Sequence, residues 1–357
     1  MSTTPVLAEA LDERLLASTT AALDLASLYL GDRLGFYRVL ADGDARTVGE
    51  LAAAAGTDVR YTREWLEHQA VTGFVRTDDD HRPWDERRFT LPAEHVGVLA
   101  DPLSADHLAP FARMLVGIAA TLDEVVDAFH TGRGVPFHRY GTDMRRGQGA
   151  INRPAFTHDL VDSWLAAAPD LHARLRSGGR IADLGCGVGW STIALKAGYP
   201  SATVIGFDED EASIVEARQH ADHHDVHVRF EATDAAALAD HGPFDAVLVL
   251  EALHDMARPA DVLRAARRAL TSDGSVVVAD EKVSPTFTSP GDDVERMMYG
   301  WSVTHCLPAS RFDAPSAAIG TVIREDTVRE LAAEAGFGHV EVLPVDAGFF
   351  AIYRLRA

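Results

Sequence analysis

The segment LVLEALHDMARP, Leu248 to Pro259, runs an apolar strand straight into Glu251, His254 and Asp255. An imidazole beside a carboxylate at a strand end is a proton-transfer set, and the same imidazole is a ready ligand for a transition metal. A second histidine, His305, lies in SVTHCLPASRFDAPSAAIGTV, Ser302 to Val322, within a long insertion of the kind that covers a substrate pocket. Two imidazoles on one ion leave most of an octahedral shell free for a chelating small ligand. His254 and His305 are therefore a candidate metal pair, with Asp255 as the outer partner that orients the imidazole or a metal-bound water. The competing chemistry uses His254 alone as a general base.

A second constellation sits in RIADLGCGVGWSTIAL, where Asp183, Gly185, Gly187 and Gly189 join an apolar strand to a helix starting near Trp190. Glycines there let the backbone approach a ligand and bare the helix N-terminus. The third glycine comes one place earlier than in the dinucleotide fingerprint, and the preceding acid repels phosphate while attracting a cationic amino group. A nicotinamide cofactor is disfavoured. Asp208, ending VIGFD, is placed to accept from both ribose hydroxyls, Thr233 and Asp234 to reach an adenine edge, and Glu251 to meet the same crevice. The four histidines of ARQHADHHDVHVRF, His220, His223, His224 and His227, are expected on the surface at the far end of the sheet. Cys186 is expected to be a small filler.

These groups need a scaffold. After Gly178 and Gly179, short apolar runs alternate with helical ones: IADLGC, ATVIGFD, VHVRFEAT, AVLVLE and SVVVADE, then VEVLPV and FFAIYRL. That alternation predicts an α/β fold with a parallel, doubly wound, seven-stranded Rossmann-like sheet whose last two strands form a hairpin. Upstream, residues 7–41 are expected to be helical with more than one apolar face, which suits a homodimer. Thr47 to Thr77 reads as helix, turn, helix, and with strands at Phe74 to Thr77 and Arg88 to Leu91 the unit is a winged helix. Helices are expected over 104–131 and 153–177, separated by GRGVPFHRYGTDMRRGQGAINRP. The expected domains are a helical winged-helix dimerisation domain over 1–100, a helical connector over 101–177 and a cofactor-binding domain over 178–357, with 282–323 as the covering insertion.

DLGCGVG, Asp208 and the terminal hairpin together resemble a class I S-adenosylmethionine-dependent methyltransferase. The front half is similar to the helical winged-helix dimerisation region of many small-molecule methyltransferases. In the O-methyltransferases that this chain resembles, a His-Asp pair at the place of His254 and Asp255 supplies the base. Bacterial metal-dependent α-keto acid C-methyltransferases are the nearer resemblance. It implies a divalent or ferric transition metal on His254 and His305 that holds the keto acid and stabilises its enolate. An anionic substrate would need a cationic anchor, for which Arg139, Arg145 and Arg153 are the candidates, Arg145 foremost.

Composition narrows the partners. The 357-residue chain has a formal net charge of −21, and acids at Asp78, Asp79 and Asp80 on the wing oppose phosphate, so nucleic acid is disfavoured as a partner. A winged-helix regulator with a ligand-sensing domain is the alternative of another class. The N-terminus lacks a charged-then-apolar signal pattern, no run is long enough for a membrane span, and the two cysteines are far apart. The expectation is a soluble cytoplasmic protein acting on a small molecule.

Overall fold

The computed structural model describes residues 11–357, which divide into two compact units, one running to Val116 and the other Gly117–Ala357. In the first, α1 (Leu11–Leu34) carries Asp12 and Glu13 in its first turn and Arg33 in its last, matching the helix dipole at both ends. The expected helix at 7–41 breaks at Gly35, which takes φ 75°, before one more turn at Phe36–Leu40; positions 7–10 lie outside the described residues. Strand β1 (Arg46–Thr47) leads into α2 (Val48–Ala55), where Thr47 and Glu50 close a capping box. Asp58 caps α3 (Val59–Val71) by accepting from the N–H groups of Arg60 and Tyr61. Strands β2 (Arg76–Thr77) and β3 (Arg88–Thr90) complete a sheet of order β1-β3-β2, so the wing has one strand more than expected.

Trp65 of α3 anchors this unit. Its Nε1 donates to the Ser27 carbonyl at 2.9 Å, and a Cβ at Gly31 would lie 2.4 Å from its ring, so only glycine lets α1 come this close. The rest of α1 is largely uncovered, with Leu11, Leu15, Leu16, Leu23, Leu30 and Leu34 all exposed.

In the second unit, α4 (Gly141–His158) and α5 (Pro169–Arg176) precede β4 (Arg180–Leu184). The sheet then builds through α6 (Trp190–Gly198), β5 (Thr203–Asp208), α7 (Glu211–His223), β6 (Arg229–Ala232) and β7 (Phe244–Leu250). Next come α8 (Pro259–Arg268), β8 (Leu270–Glu281), α9 (Asp293–Trp301), α10 (Glu325–Glu334), β9 (His339–Val342) and β10 (Phe350–Arg356). The strand order is β6-β5-β4-β7-β8-β10-β9, with β10 antiparallel to both neighbours, as expected of a doubly wound sheet with a terminal hairpin.

Both faces of the central strands are buried. One carries Leu184, Val247, Val249 and Val276 against Leu263 and Leu331; the other carries Ile181, Leu248 and Val277 against Trp164, Leu171 and Leu195. This two-sided burial explains why the strands read as continuous apolar runs.

The stretch expected to separate two helices is instead helical from Gly141, and α4 runs through Pro154. Glycine and proline normally argue against a helix, but here close packing overrides propensity: a Cβ at Gly149 would lie 2.3 Å from Val188 Cγ2 of the glycine loop. Among the described residues no helix is long and apolar enough to cross a membrane.

Candidate active site

The carboxyl ends of β4, β5, β6 and β7 surround a cavity of about 680 Å³, whose walls include Gly185, Gly187, Asp208, Thr233, Asp234 and Glu251. Gly187 adopts φ 52° with open space where a Cβ would project, and its N–H donates to Asp208 Oδ2 at 2.8 Å. Asp208 Oδ1 accepts from the Asp210 N–H at 2.9 Å. Burial pushes the Asp208 carboxyl up to about 6, against the opposing pull of those two N–H groups. Glu251 also sits at positive φ, 50°, a costly conformation for a non-glycine residue. Its Oε2 accepts from Asn152 Nδ2 of α4. Burial, and then Glu281, raise its carboxyl well above the ordinary range.

Two residues of the first motif lie elsewhere than expected. Asp183 is buried beneath the loop and accepts from Ser191 Oγ and Thr192 Oγ1, both at 2.6 Å, so it pins the start of α6 instead of facing an amino group in the cavity. Gly189, at φ 87°, serves packing, since a Cβ there would lie 2.8 Å from Ala217 Cβ and 2.9 Å from the Phe230 ring.

His254 is 2% exposed, set behind the cavity wall; Asp255 occupies the wall itself. The imidazole Nδ1 is 2.6 Å from Asp280 Oδ1, at the end of β8, and Nε2 is 3.4 Å from Asp255 Oδ1. Burial alone would lower the His254 value, but the carboxylates of Asp280 and Asp255 outweigh it and hold it well above that of a free imidazole. Burial raises Glu281, next to Asp280, to about 8.

His305 stands in a π turn, Ser302–Cys306, of the insertion. The Tyr140 ring meets it edge-on at 4.5 Å, Cys306 Sγ is 3.4 Å from its Nδ1, and its Nε2 has no partner. Burial lowers it to about 4. The ligand atoms that converge within 4.8 Å of one another among the described residues belong to His254, Asp255 and Cys306. His305 is outside that group of three, and its buried Nε2 is unpartnered.

The candidate anchors are all engaged. Arg139 pairs with Glu124 at 2.6 Å, Arg145 is buried against Asp210 at 2.8 Å, and Arg153 lies 3.8 Å over the Trp190 ring. The histidine cluster also departs from expectation. His223, His224 and His227 are exposed, but His220 Nδ1 bonds to the Val188 carbonyl of the glycine loop at 2.9 Å and its ring stacks on Trp190 at 4.2 Å. Asp280 had no assigned role, although it ends an apolar strand in VVVADE just as Asp208 does in TVIGFD.

Residues 175–336 match the family described as a methyltransferase domain, and residues 21–101 the one described as an Rv2258c-like winged HTH domain. Over 121 residues the chain is 35% identical to trans-aconitate 2-methyltransferase of Methylobacterium nodulans, covering 33% of this chain and 45% of that protein. The chain thus spans less than half the length of that relative. Among solved structures it is similar to the mitomycin 7-O-methyltransferase, with TM-score 0.66, 18% identity and coverage of 97% of this chain and 98% of the other. The human N-acetylserotonin methyltransferase in complex with S-adenosylmethionine gives TM-score 0.66 at 17% identity, covering 100% of this chain and 99% of the other. At these identities the likeness is one of fold. The cavity at the strand ends and the two family matches lead to one conclusion: the chain carries a class I S-adenosylmethionine-dependent methyltransferase domain behind a winged helix-turn-helix domain.

Proposed function

We propose that the protein is an S-adenosylmethionine-dependent O-methyltransferase of a small, hydroxyl-bearing molecule, with His254 as the base. The observation that carries this reading is the His254–Asp280 pair, which orients the imidazole as a proton acceptor at Nε2. S-adenosylmethionine would sit on Gly185, Gly187, Asp208, Thr233, Asp234 and Glu251, and it supplies the methyl electrophile. Asp255 stands between His254 and the cavity, with a buried Oδ1 that accepts no hydrogen bond. The acceptor proton would pass by way of Asp255 to His254 Nε2, while the bound cofactor would give up its methyl group to the acceptor oxygen and leave as S-adenosylhomocysteine. In-line displacement then needs only positioning, with the reacting atoms held at about 3 to 3.5 Å.

C-methylation of an α-keto acid at a metal on His254 and His305 has weaker support. His305 lies outside the converging ligand atoms, and Arg139, Arg145 and Arg153 are occupied elsewhere. The imidazole of His254 already faces the carboxylates of Asp255 and Asp280, which disfavours a further carboxylate beside it. Purified protein is expected to be active with chelator present and to give O-methyl products in a mass screen of phenols and keto acids. Stoichiometric metal, reversible loss with chelator and a C-methylated keto acid would establish the other reading.

The winged helix is better suited to assembly than to DNA. On α3, Arg60 pairs with Glu64 at 2.5 Å and Arg63 with Glu67 at 3.1 Å, so its basic groups are neutralised in place. The uncovered leucines of α1 suit a homodimer. Leu16 and Leu23, 69% and 63% exposed and one heptad apart, are expected at its interface. Light scattering is expected to give a dimer for the wild type and a monomer for the Leu16→Asp/Leu23→Asp variant; a monomeric wild type removes this assignment.

A further inference from the structure

We propose that α4 is a stapled wall of the cofactor cavity and that Arg145 and Arg153 are positioning residues that keep it closed over bound cofactor. The proposal rests on the methyltransferase reading above. Arg145, Gly149 and Arg153 are spaced i, i+4, i+8 and therefore share one face of the helix. Each holds a different part of the glycine-loop neighbourhood.

Arg145 reaches α7, with Nε 2.8 Å from Asp210 Oδ2 and Nη1 3.6 Å from Glu216 Oε1. Asp210 is the N-cap of α7, accepting from the Ser213 N–H, and its own N–H supports Asp208 Oδ1. A path of direct contacts thus runs from Arg145 through Asp210 to the ribose acid. Gly149 lets α4 settle on Val188 of the loop, where any side chain would collide.

Arg153 completes the far end. Its guanidinium covers one face of Trp190, His220 stacks on the same ring with an interplanar angle of 18°, and Arg153 Nη2 is 3.3 Å from His224 Nε2. Trp190 is itself on the cavity wall. Between the two staples α4 presents Gln148 and Asn152 to the cavity, with Phe156 one turn beyond, and Asn152 bonds to Glu251 across it. α4 thereby forms one wall of the cavity, facing the strand ends, so loosening it is expected to speed a bound ligand's escape.

The test is S-adenosylhomocysteine binding by calorimetry, with dissociation followed by stopped-flow tryptophan fluorescence on the full chain. Wild type is expected to bind. Arg145→Ala and Arg153→Ala are each expected to weaken binding about tenfold or more, chiefly through faster dissociation, and Arg145→Lys to recover part of the loss. Arg139→Ala, whose partner Glu124 is outside the cavity wall, should behave as wild type. If Arg145→Ala fails to fold, Arg153→Ala decides, since its staple is a ring contact and not a buried ion pair. Wild-type dissociation rates in folded Arg145→Ala and Arg153→Ala overturn the proposal while leaving the methyltransferase reading intact. A wild type that does not bind S-adenosylhomocysteine overturns both.

Discussion

Asp208→Ala and Gly187→Val are each expected to weaken S-adenosylhomocysteine binding about a hundredfold or more while the chain remains folded. Asp208 is the acid on the cavity wall placed to accept from ribose hydroxyls, and hydrogen bonds to a charged group contribute about 1.5 to 3 kcal/mol each. Two such bonds lost correspond to at least about 3 kcal/mol, or two decades in affinity. The alanine variant also strips the Gly187 and Asp210 N–H groups of their common acceptor. At Gly187 the effect has two sources. A branched side chain is strained at φ 52°, and the open space in front of it is the ligand's own. Calorimetry on both variants with near-normal affinity, alongside an unchanged circular dichroism spectrum, would displace the cofactor from these residues.

His254→Ala is expected to lower turnover by about 10² to 10⁴, the usual contribution of a positioned base, with little change in cofactor affinity because His254 lies behind the wall. The pH profile carries the finer information. Burial pulls the His254 value down, yet Asp280 and Asp255 raise it well above that of a free imidazole, so the resting group is an imidazolium at neutral pH. Only the neutral form accepts a proton. kcat/KM must therefore rise with pH from neutrality until the imidazolium is lost. In Asp280→Asn one raising carboxylate is gone, the His254 value falls, and the rising limb moves to lower pH with a lower plateau. A flat profile in the wild type, or a limb that shifts to higher pH in Asp280→Asn, would remove His254 from the proton path.

The sequence made the sheet legible because its central strands are buried on both faces and read as unbroken apolar runs. The glycine loop was legible for a related reason: backbone approach demands glycine at particular spacings, as at Gly185 and Gly187. Strand β1 was not, being two residues long and defined only by its pairing with β3. Helix α4 was hidden because Gly147, Gly149 and Pro154 weigh against a helix locally, whereas the close contact with Val188 that selects Gly149 lies far away in sequence. The same nonlocality hid Asp280 as the partner of His254, 26 residues distant, and the engagement of Arg145 by Asp210. Position along a strand can be read from period; the choice among several nearby acids as partner requires the folded chain.

The placement of β10 between β8 and β9 has a consequence for the order of events during synthesis. Ala351 pairs with Asp280 and Phe350 with Glu281, and among the described residues β9 has no other neighbour in the sheet than β10. The strand bearing the acid that orients His254 therefore acquires its second partner only after residue 351 has left the ribosome, and β9, made earlier, waits unseated until the same moment. A nascent chain halted before that point presents an open β8 edge ready for pairing with another molecule. Support of the Asp280 strand and protection of its open edge thus both depend on β10.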